Sequence, residues 1–468
     1  MNFKTILSAA IALLLGTSAM AQTKKSFTLE DLMWGGTNYA SIMPRYYGTA
    51  FWGDELLRVE VDEVSHLSAK GKGKKLFTAA DINAAIDTAA VGKVYNLLYA
   101  QFPTGKQPQV FVRTSKANVL YNWKTRKADW TARRTEGESC NDISFASKAE
   151  AYVKNWNLFV RNAKGEETQL STDGSRELQY GQSVHRDEFG IHKGTFWSPN
   201  GNKLAFYRMD QSMVTDYPLV DINHRVAQLA PEKYPMAGMT SHKVTVGVYD
   251  VQSRHTIYLK AGDPTDRYFT NIAWSPDEST IYMFELPRTQ DKAELVAYDA
   301  VTGERKGVLY TETNARYVEP CNPIVFLPWN SSQFVMQTRR DGYNHLYLYD
   351  VSGKLIKQLT KGKYEVISML GFNTATKSII YQSNANNPIQ YSHFSVQTET
   401  GKVTLLDNGQ GTHYATLSEN GKFLTDRWSS PTTFRQYDVV NTAKGTVQKL
   451  HADAVPVQIP ADQRGHVA

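Results

Sequence analysis

Beyond residue 30 the chain reads as short runs of alternating apolar and polar positions, separated by turns. Lys203-Leu-Ala-Phe-Tyr207 and Ser279-Thr-Ile-Tyr-Met-Phe284 carry the period-two pattern of half-buried strands. These runs belong to a repeating unit. An aromatic approach leads to a Ser-Pro turn, seen as Trp197-Ser-Pro-Asn-Gly201 and Trp274-Ser-Pro-Asp-Glu278. Degenerate copies are Phe326-Leu-Pro-Trp-Asn330, Gly371-Phe-Asn373 and Leu417-Ser-Glu-Asn-Gly421. The unit closes on Val246-Gly-Val-Tyr-Asp250, Leu295-Val-Ala-Tyr-Asp299 and Leu346-Tyr-Leu-Tyr-Asp350, whose Tyr-Asp pairs stand 49 and 51 residues apart. An earlier copy runs from Ile143-Ser-Phe-Ala-Ser147 to Asn157-Leu-Phe-Val160. Pro presets φ and Gly tolerates positive φ, so these turns are tight.

A unit of about 45–50 residues with four short strands is a propeller blade. The fold class expected is therefore all-β, a β-propeller of about eight four-stranded blades over residues 31–455. One interval breaks the period. Trp197 to Trp274 is 77 residues, which predicts an arm inserted in that blade, including Met209 to Lys243 and packed by Met209, Met213, Met236 and Met239. The helical pattern is confined to short stretches such as 78–90, and no α/β-hydrolase domain is expected.

Composition narrows the classes. Hydrophobic residues make up 41% and charged residues 21%, which excludes a disordered chain. The 26 Tyr agree with a strand-rich fold. A net charge of +6 over 468 residues is too dilute for a nucleic-acid surface, and Lys70-Gly-Lys72-Gly-Lys74-Lys75 reads as a solvated basic loop. At the N-terminus, Lys4, the apolar run Ile6–Leu15 and Ala19-Met20-Ala21 form a signal peptide, cut after Ala21. Residues 1–21 are thus assigned to the signal peptide, 22–455 to the propeller and 456–468 to a C-terminal tail. The mature chain is expected in the periplasm or outside the cell, with no membrane span. Cys140 and Cys321 are the only cysteines and are read as free buried thiols. No CxxC pair and no zinc-type spacing occurs, and no metal or cofactor is expected. His185 and His192, with six residues between them, are read as solvated or capping histidines.

Several stretches resemble the dipeptidyl peptidase IV family, and most closely its Bacteroidetes-type enzymes. Asp187-Glu-Phe-Gly-Ile-His-Lys-Gly-Thr-Phe-Trp-Ser-Pro-Asn-Gly201 is similar to the family's fourth-blade segment. Leu204-Ala-Phe-Tyr-Arg-Met-Asp-Gln-Ser-Met-Val214 and Tyr234-Pro-Met-Ala-Gly238 follow in the family's order. Arg339-Arg-Asp-Gly-Tyr-Asn-His-Leu-Tyr-Leu-Tyr-Asp350, Leu417–Asp426 and Ser429-Ser-Pro431 extend the likeness across most of residues 31–440. The resemblance implies a propeller that accompanies a serine hydrolase and serves release of Xaa-Pro or Xaa-Ala dipeptides from peptide N-termini.

It also implies a site. Two acidic residues on a blade hold the substrate's α-ammonium, and a propeller Arg holds a backbone carbonyl. Asp187 and Glu188 match the acidic pair, with Asp187 replacing the family's first Glu and shortening one arm by a methylene. Arg186 precedes them, either neutralising the site in part or pointing away. Arg113, in Val112-Arg-Thr-Ser115, resembles the carbonyl-holding Arg, with Arg126, Arg133 and Arg134 as nearby competitors. The chemistry is apt. An α-ammonium presents a charge and three N–H donors, and charge-assisted hydrogen bonds contribute about 1.5–3 kcal/mol each.

The nucleophile elbow Gly-x-Ser-x-Gly does not occur, and Gly181-Gln-Ser-Val-His185 is the nearest string. The chain is accordingly expected to be inactive alone, with no catalytic residue of its own. Three readings remain open: the recognition half of a dipeptidyl peptidase, a free-standing peptide- or protein-binding propeller, and a different propeller enzyme. Expected partners are peptides with a free N-terminus, a separate hydrolase chain, and a second copy docking through the 208–243 arm.

Overall fold

In this computed structural model, residues 28–37, 39, 48–68, 72–433 and 435–452 are described. The signal-peptide and tail assignments, residues 1–21 and 456–468, lie outside them. The described strands form eight blades in a ring, an all-β propeller. In sequence order the blades span residues 48–78, 109–133, 139–169, 178–258, 267–313, 325–358, 366–405 and 412–452. Each is an antiparallel meander. In most blades the last strand is the most exposed, as at His255–Tyr258, Arg305–Thr313, Leu355–Gln358 and Val403–Leu405.

The alternation along each middle strand explains why blades stack. In His345–Asp350 of blade six, Leu346 and Leu348 pack with residues of blade seven, while Tyr347 and Tyr349 pack with residues of blade five. Both faces of a blade are buried, each against a different neighbour, so the hydrophobic clusters lie between successive blades. Packing only onto neighbours is the reason for the sequence period.

The repeated residues have repeated tasks. Tyr249, Tyr298 and Tyr349 each pack against the preceding blade. The aspartates that follow them cap turns: Asp250 Oδ1 accepts the Ser253 N–H (2.8 Å), Asp299 Oδ1 the Val301 and Thr302 N–H (2.9 Å each), and Asp350 Oδ1 the Ser352 N–H (2.9 Å). Those bonds hold the Asp299 carboxyl down at about 2. The turn tryptophans stitch neighbours together. Trp197 Nε1–H donates to the Asp142 carbonyl of blade three (3.1 Å), and Trp274 Nε1–H to the Phe196 carbonyl of blade four (3.0 Å). The ring closes where the Glu419 N–H donates to the Gly53 carbonyl (3.0 Å) and the Asn420 N–H to Asp54 (3.2 Å).

Two blades depart from the four-strand plan. Blade two has three strands, preceded by a single bridge from Gln101 to Phe111. Pro103, with no N–H to donate, follows that bridge. In blade four the first strand is split into Leu178–Tyr180 and Thr195–Trp197, both paired with Lys203–Asp210. The expected arm leaves after Asp210 and returns at Lys243, as two short antiparallel ladders, 216–217 with 232–233 and 220–221 with 228–229. Short helices Ala79–Ala84 and Thr88–Val91 link blades one and two. Cys140 and Cys321 are free, but both are exposed, which corrects the expectation of buried thiols. Cys140 lies on an edge strand and Cys321 in a connection, where neither joins an inter-blade core. No described helix is long and apolar enough to cross a membrane.

Candidate functional site

The interruption in the first strand of blade four is a loop, residues 181–194, pinned at both ends to one residue. The Gly181 N–H donates to the Tyr207 carbonyl (2.8 Å), and the Tyr207 N–H donates to the Gly194 carbonyl (2.9 Å). A Cβ on Gly194 would meet the Gln182 carbonyl oxygen at 2.0 Å, so the neck closes only around glycine. Asp187 and Glu188 sit in this loop, both exposed.

The loop backbone is strained. φ is +55° at His185, +57° at Arg186, +63° at Asp187 and +58° at Phe189. Left-handed conformations cost roughly 1–2 kcal/mol per non-glycine residue. Burial of two side chains offsets this. Phe189 enters the core between blades five and six. His185, 2% exposed, forms a pair with His242 (Nδ1 to Nε2, 2.8 Å) and accepts the Phe269 N–H at its Nε2 (3.2 Å). That acceptance places the His185 proton on Nδ1, donated to His242. Burial, then the charge of the other ring, pushes His185 well below the ordinary histidine value. Burial, then Arg288 and Arg186, lowers His242 to about 4. Both rings are neutral at pH 7. His185 is therefore a buried anchor rather than a solvated residue, which corrects its reading from sequence, whereas His192 is exposed.

Asp187 lines a pocket of about 420 Å³ between this loop and the arm, together with Arg176, Ser183, Arg186, Glu232 and His242. The Ser183 hydroxyl donates to Asp187. The pocket's cations turn to the arm. Arg186 Nη1–H donates to Glu232 (2.7 Å) and lies over the Tyr234 ring, and Arg176 Nη2–H donates to Asp216 (2.6 Å) and to the Pro231 carbonyl (2.7 Å). Arg186 thus pairs with Glu232 of the arm, while lining the same pocket as Asp187. Glu188 takes a different direction, outside the lining of that pocket. Its carboxyl is raised by burial and by the charge of Glu319, and its own charge raises Tyr268 after burial does. Among the described residues, no ion pair is formed by Asp187, Glu188 or Glu319. Three carboxylates around one loop are therefore outside the ion pairs formed among the described residues. Glu319 was not legible as a site residue, because it lies 131 positions beyond Glu188 in a connecting segment.

Arg113 lies elsewhere. It ends the strand Gln109–Arg113 of blade two and lines a second pocket, of about 590 Å³, with Lys93, Tyr95, Tyr99 and Gln101. Its guanidinium stands over the Phe111 ring at 5.8 Å. The two pockets share no lining residue. Of the competitors, Arg126 pairs with Asp81 (2.8 Å) and Arg134 donates to the Thr114 carbonyl (2.5 Å).

The family described as dipeptidyl peptidase IV (DPP IV) N-terminal region matches residues 96–435. The chain belongs to that family. It is 24% identical over 414 residues to an Aspergillus flavus protein named probable dipeptidyl peptidase 4, covering 79% of this chain and 53% of that protein. It is 25% identical over 321 residues to a probable dipeptidyl-aminopeptidase B of Pyrenophora tritici-repentis, covering 62% of this chain and 36% of that protein. A solved structure of a dipeptidyl aminopeptidase IV candidate from Bacteroides ovatus superposes with a TM-score of 0.83 at 40% identity, over 93% of this chain and 64% of that one. Porphyromonas gingivalis dipeptidyl peptidase 4, at 20% identity and a TM-score of 0.74, shares the fold, over 93% of this chain and 62% of its own. The chain thus spans from about a third to just under two thirds of the length of these relatives.

Proposed function

We propose that this chain is the peptide-recognition propeller of an exported serine dipeptidyl peptidase, and that Glu188 holds the α-ammonium of the substrate, with Asp187, which faces the arm-side pocket, as the second acid that the resemblance implies. The observation that carries the reading is that Asp187 and Glu188, exposed on the strained loop 181–194, form no ion pair among the described residues. The charge of Glu319 adds to burial in raising the Glu188 carboxyl, and an arriving ammonium relieves that repulsion. A free N-terminus supplies the missing charge, and an acetylated one does not. Fixing the N-terminus fixes the number of residues between it and the scissile bond, which is how an exopeptidase releases dipeptides. Family membership and relatives named as dipeptidyl peptidases support Xaa-Pro or Xaa-Ala peptides as substrates. Arg113, lining the second pocket, is assigned to a peptide carbonyl because a guanidinium offers five fixed donors.

Bond cleavage needs a nucleophile, a base and an oxyanion hole. We assign these to a serine hydrolase domain outside these 468 residues. Export to the periplasm or beyond, after cleavage at Ala21, belongs to the same proposal.

Calorimetry of residues 22–468 with a Xaa-Pro tripeptide, free and N-acetylated, tests the reading. Binding of the free peptide alone, lost in Glu188→Ala and without dipeptide release in a chromogenic assay, is the expected result. Equal binding of both peptides, or none of either, would refute the recognition role.

A second copy is the partner proposed for the arm. Ile222 is 81% exposed, Val226 78% and Leu229 65% on its tip, an apolar surface of the kind that marks association.

A further inference from the structure

Four chemically matched side chains meet between blades seven and eight, far along the chain from the loop described above. His393 stands on the strand Ser392–Gln397, Asp407 in the connection after Val403–Leu405, His413 on Thr412–Leu417 and Asp426 on Phe423–Ser429. Their side chains are at most 3% exposed. Both ring nitrogens of His393 are buried, and neither has a hydrogen-bond partner among the described residues. A buried imidazole in this state is rare, because nearly every buried polar group is paired.

The unpaired ring faces the two carboxylates. His393 Nδ1 lies 3.6 Å from Asp407 Oδ2 and 4.0 Å from Asp426 Oδ1. His413 Nδ1 lies 3.7 Å from Asp407 Oδ2 and 2.8 Å from Asp426 Oδ2. One ligand atom each from His393, Asp407 and His413 falls within 4.8 Å of the others. Tetrahedral bonds of 2.0–2.2 Å set ligand atoms roughly 3.3–3.6 Å apart, so the His393–Asp407 and His413–Asp407 edges fit closely, while the His413–Asp426 edge must open by roughly half an ångström or more.

The surroundings are those of a ligand set. His413 Nε2–H donates to the Gln410 carbonyl (2.9 Å), and its Nδ1 shares a proton with Asp426 (2.8 Å), which a bound ion would displace to take Nδ1 as a ligand. Trp428 stacks on that ring at 5.5 Å. Asp407 is oriented through the Gly409 N–H on Oδ1 (2.8 Å) and the His393 N–H on Oδ2 (2.6 Å). Two carboxylates out of water require positive charge, and a divalent ion with two neutral imidazoles makes the group neutral. Mixed imidazole and carboxylate ligands, four in number, suit zinc; calcium and magnesium take oxygen ligands in larger number.

We propose that His393, Asp407, His413 and Asp426 form a structural Zn²⁺ site that staples blade eight to blade seven. This departs from the expectation of no metal drawn from sequence. Four protein ligands leave a tetrahedral ion no open coordination position, so its role is to hold the last blade, which closes the ring onto blade one. It enters as the blades fold.

The test is metal analysis of residues 22–468 purified from cells grown in zinc-supplemented medium and washed with chelator to strip surface ions. About one zinc per chain is expected. His393→Phe, which keeps a ring but no ligand nitrogen, and Asp407→Asn are expected to hold at least roughly tenfold less while keeping the strand-type circular dichroism of the wild type. Cobalt-grown wild type gives the visible d–d bands of tetrahedral Co²⁺, a readout that stands even where a variant does not fold. Wild type free of zinc and lacking those bands overturns the proposal, as does zinc retained equally in folded His393→Phe.

Discussion

Replacing His242 with Gln isolates the buried pair that anchors the candidate recognition loop. In the native chain His242 Nε2 accepts the Nδ1–H of His185 at 2.8 Å. A glutamine carbonyl oxygen can accept the same proton and does not titrate. His242 has a folded pKa of about 4 against an ordinary 6.5, with burial as the main cause. Because the folded value is lowered, the unfolded chain takes up the proton first as pH falls. The stability linked to His242 is therefore complete above pH 6.5 and declines from there down to about 4. At 1.36 kcal/mol per unit, its loss between pH 7 and pH 4 amounts to about 3 kcal/mol. His185 changes in the same direction. The assay is urea unfolding followed by tryptophan fluorescence at neutral pH and near pH 4, for wild type and His242→Gln. The variant is expected to lose about 3 kcal/mol less on acidification than wild type. An equal acid loss in both chains would refute the assignment of a neutral, titrating His242. A linked outcome concerns function: peptide binding should weaken with acidification in wild type more than in the variant, because protonation of the pair releases the strain of His185, Arg186 and Asp187.

Other outcomes follow from named contacts. Glu188→Gln should weaken binding of a free Xaa-Pro tripeptide by about 10- to 150-fold, one charge-assisted hydrogen bond, and leave the N-acetylated peptide unaffected; calorimetry reads both. Glu319→Gln should lower the Glu188 pKa, measurable by NMR titration, since Glu319 is the charge that raises it after burial. Arg161→Met should destabilise the fold by about 3–5 kcal/mol in urea unfolding, because it leaves Glu138 and Glu150, at 2.6 and 2.9 Å from the guanidinium, buried without their cation. Ile222→Asp on the arm should shift any dimer to monomer in sedimentation velocity, with thermal stability unchanged, since the side chain is 81% exposed.

Much of this architecture is written in the chain. Each blade packs only on its neighbours, so strand alternation, the Ser-Pro turns and the Tyr-Asp closures recur at blade spacing, and the arm shows as a break in that spacing. Local physics suffices for these: Asp299 caps its own turn, and Leu346 and Tyr347 face opposite ways because strands have period two. Asp187 and Glu188 could be singled out because they are adjacent to each other and stand before a recognisable Trp-Ser-Pro turn. What only the tertiary structure decided are relations between distant positions. Adjacent residues on a left-handed turn need not share a direction, so Asp187 enters the arm-side pocket while Glu188 meets Glu319. His185 and His242 are 57 residues apart, and a buried partner rather than solvent sets their charge. The group His393, Asp407, His413 and Asp426 has no spacing that a motif could catch, since it is assembled across strands of two blades. Sequence patterns report what a segment does with its own neighbours; charge, pKa and ligand sets depend on which segments the ring brings face to face.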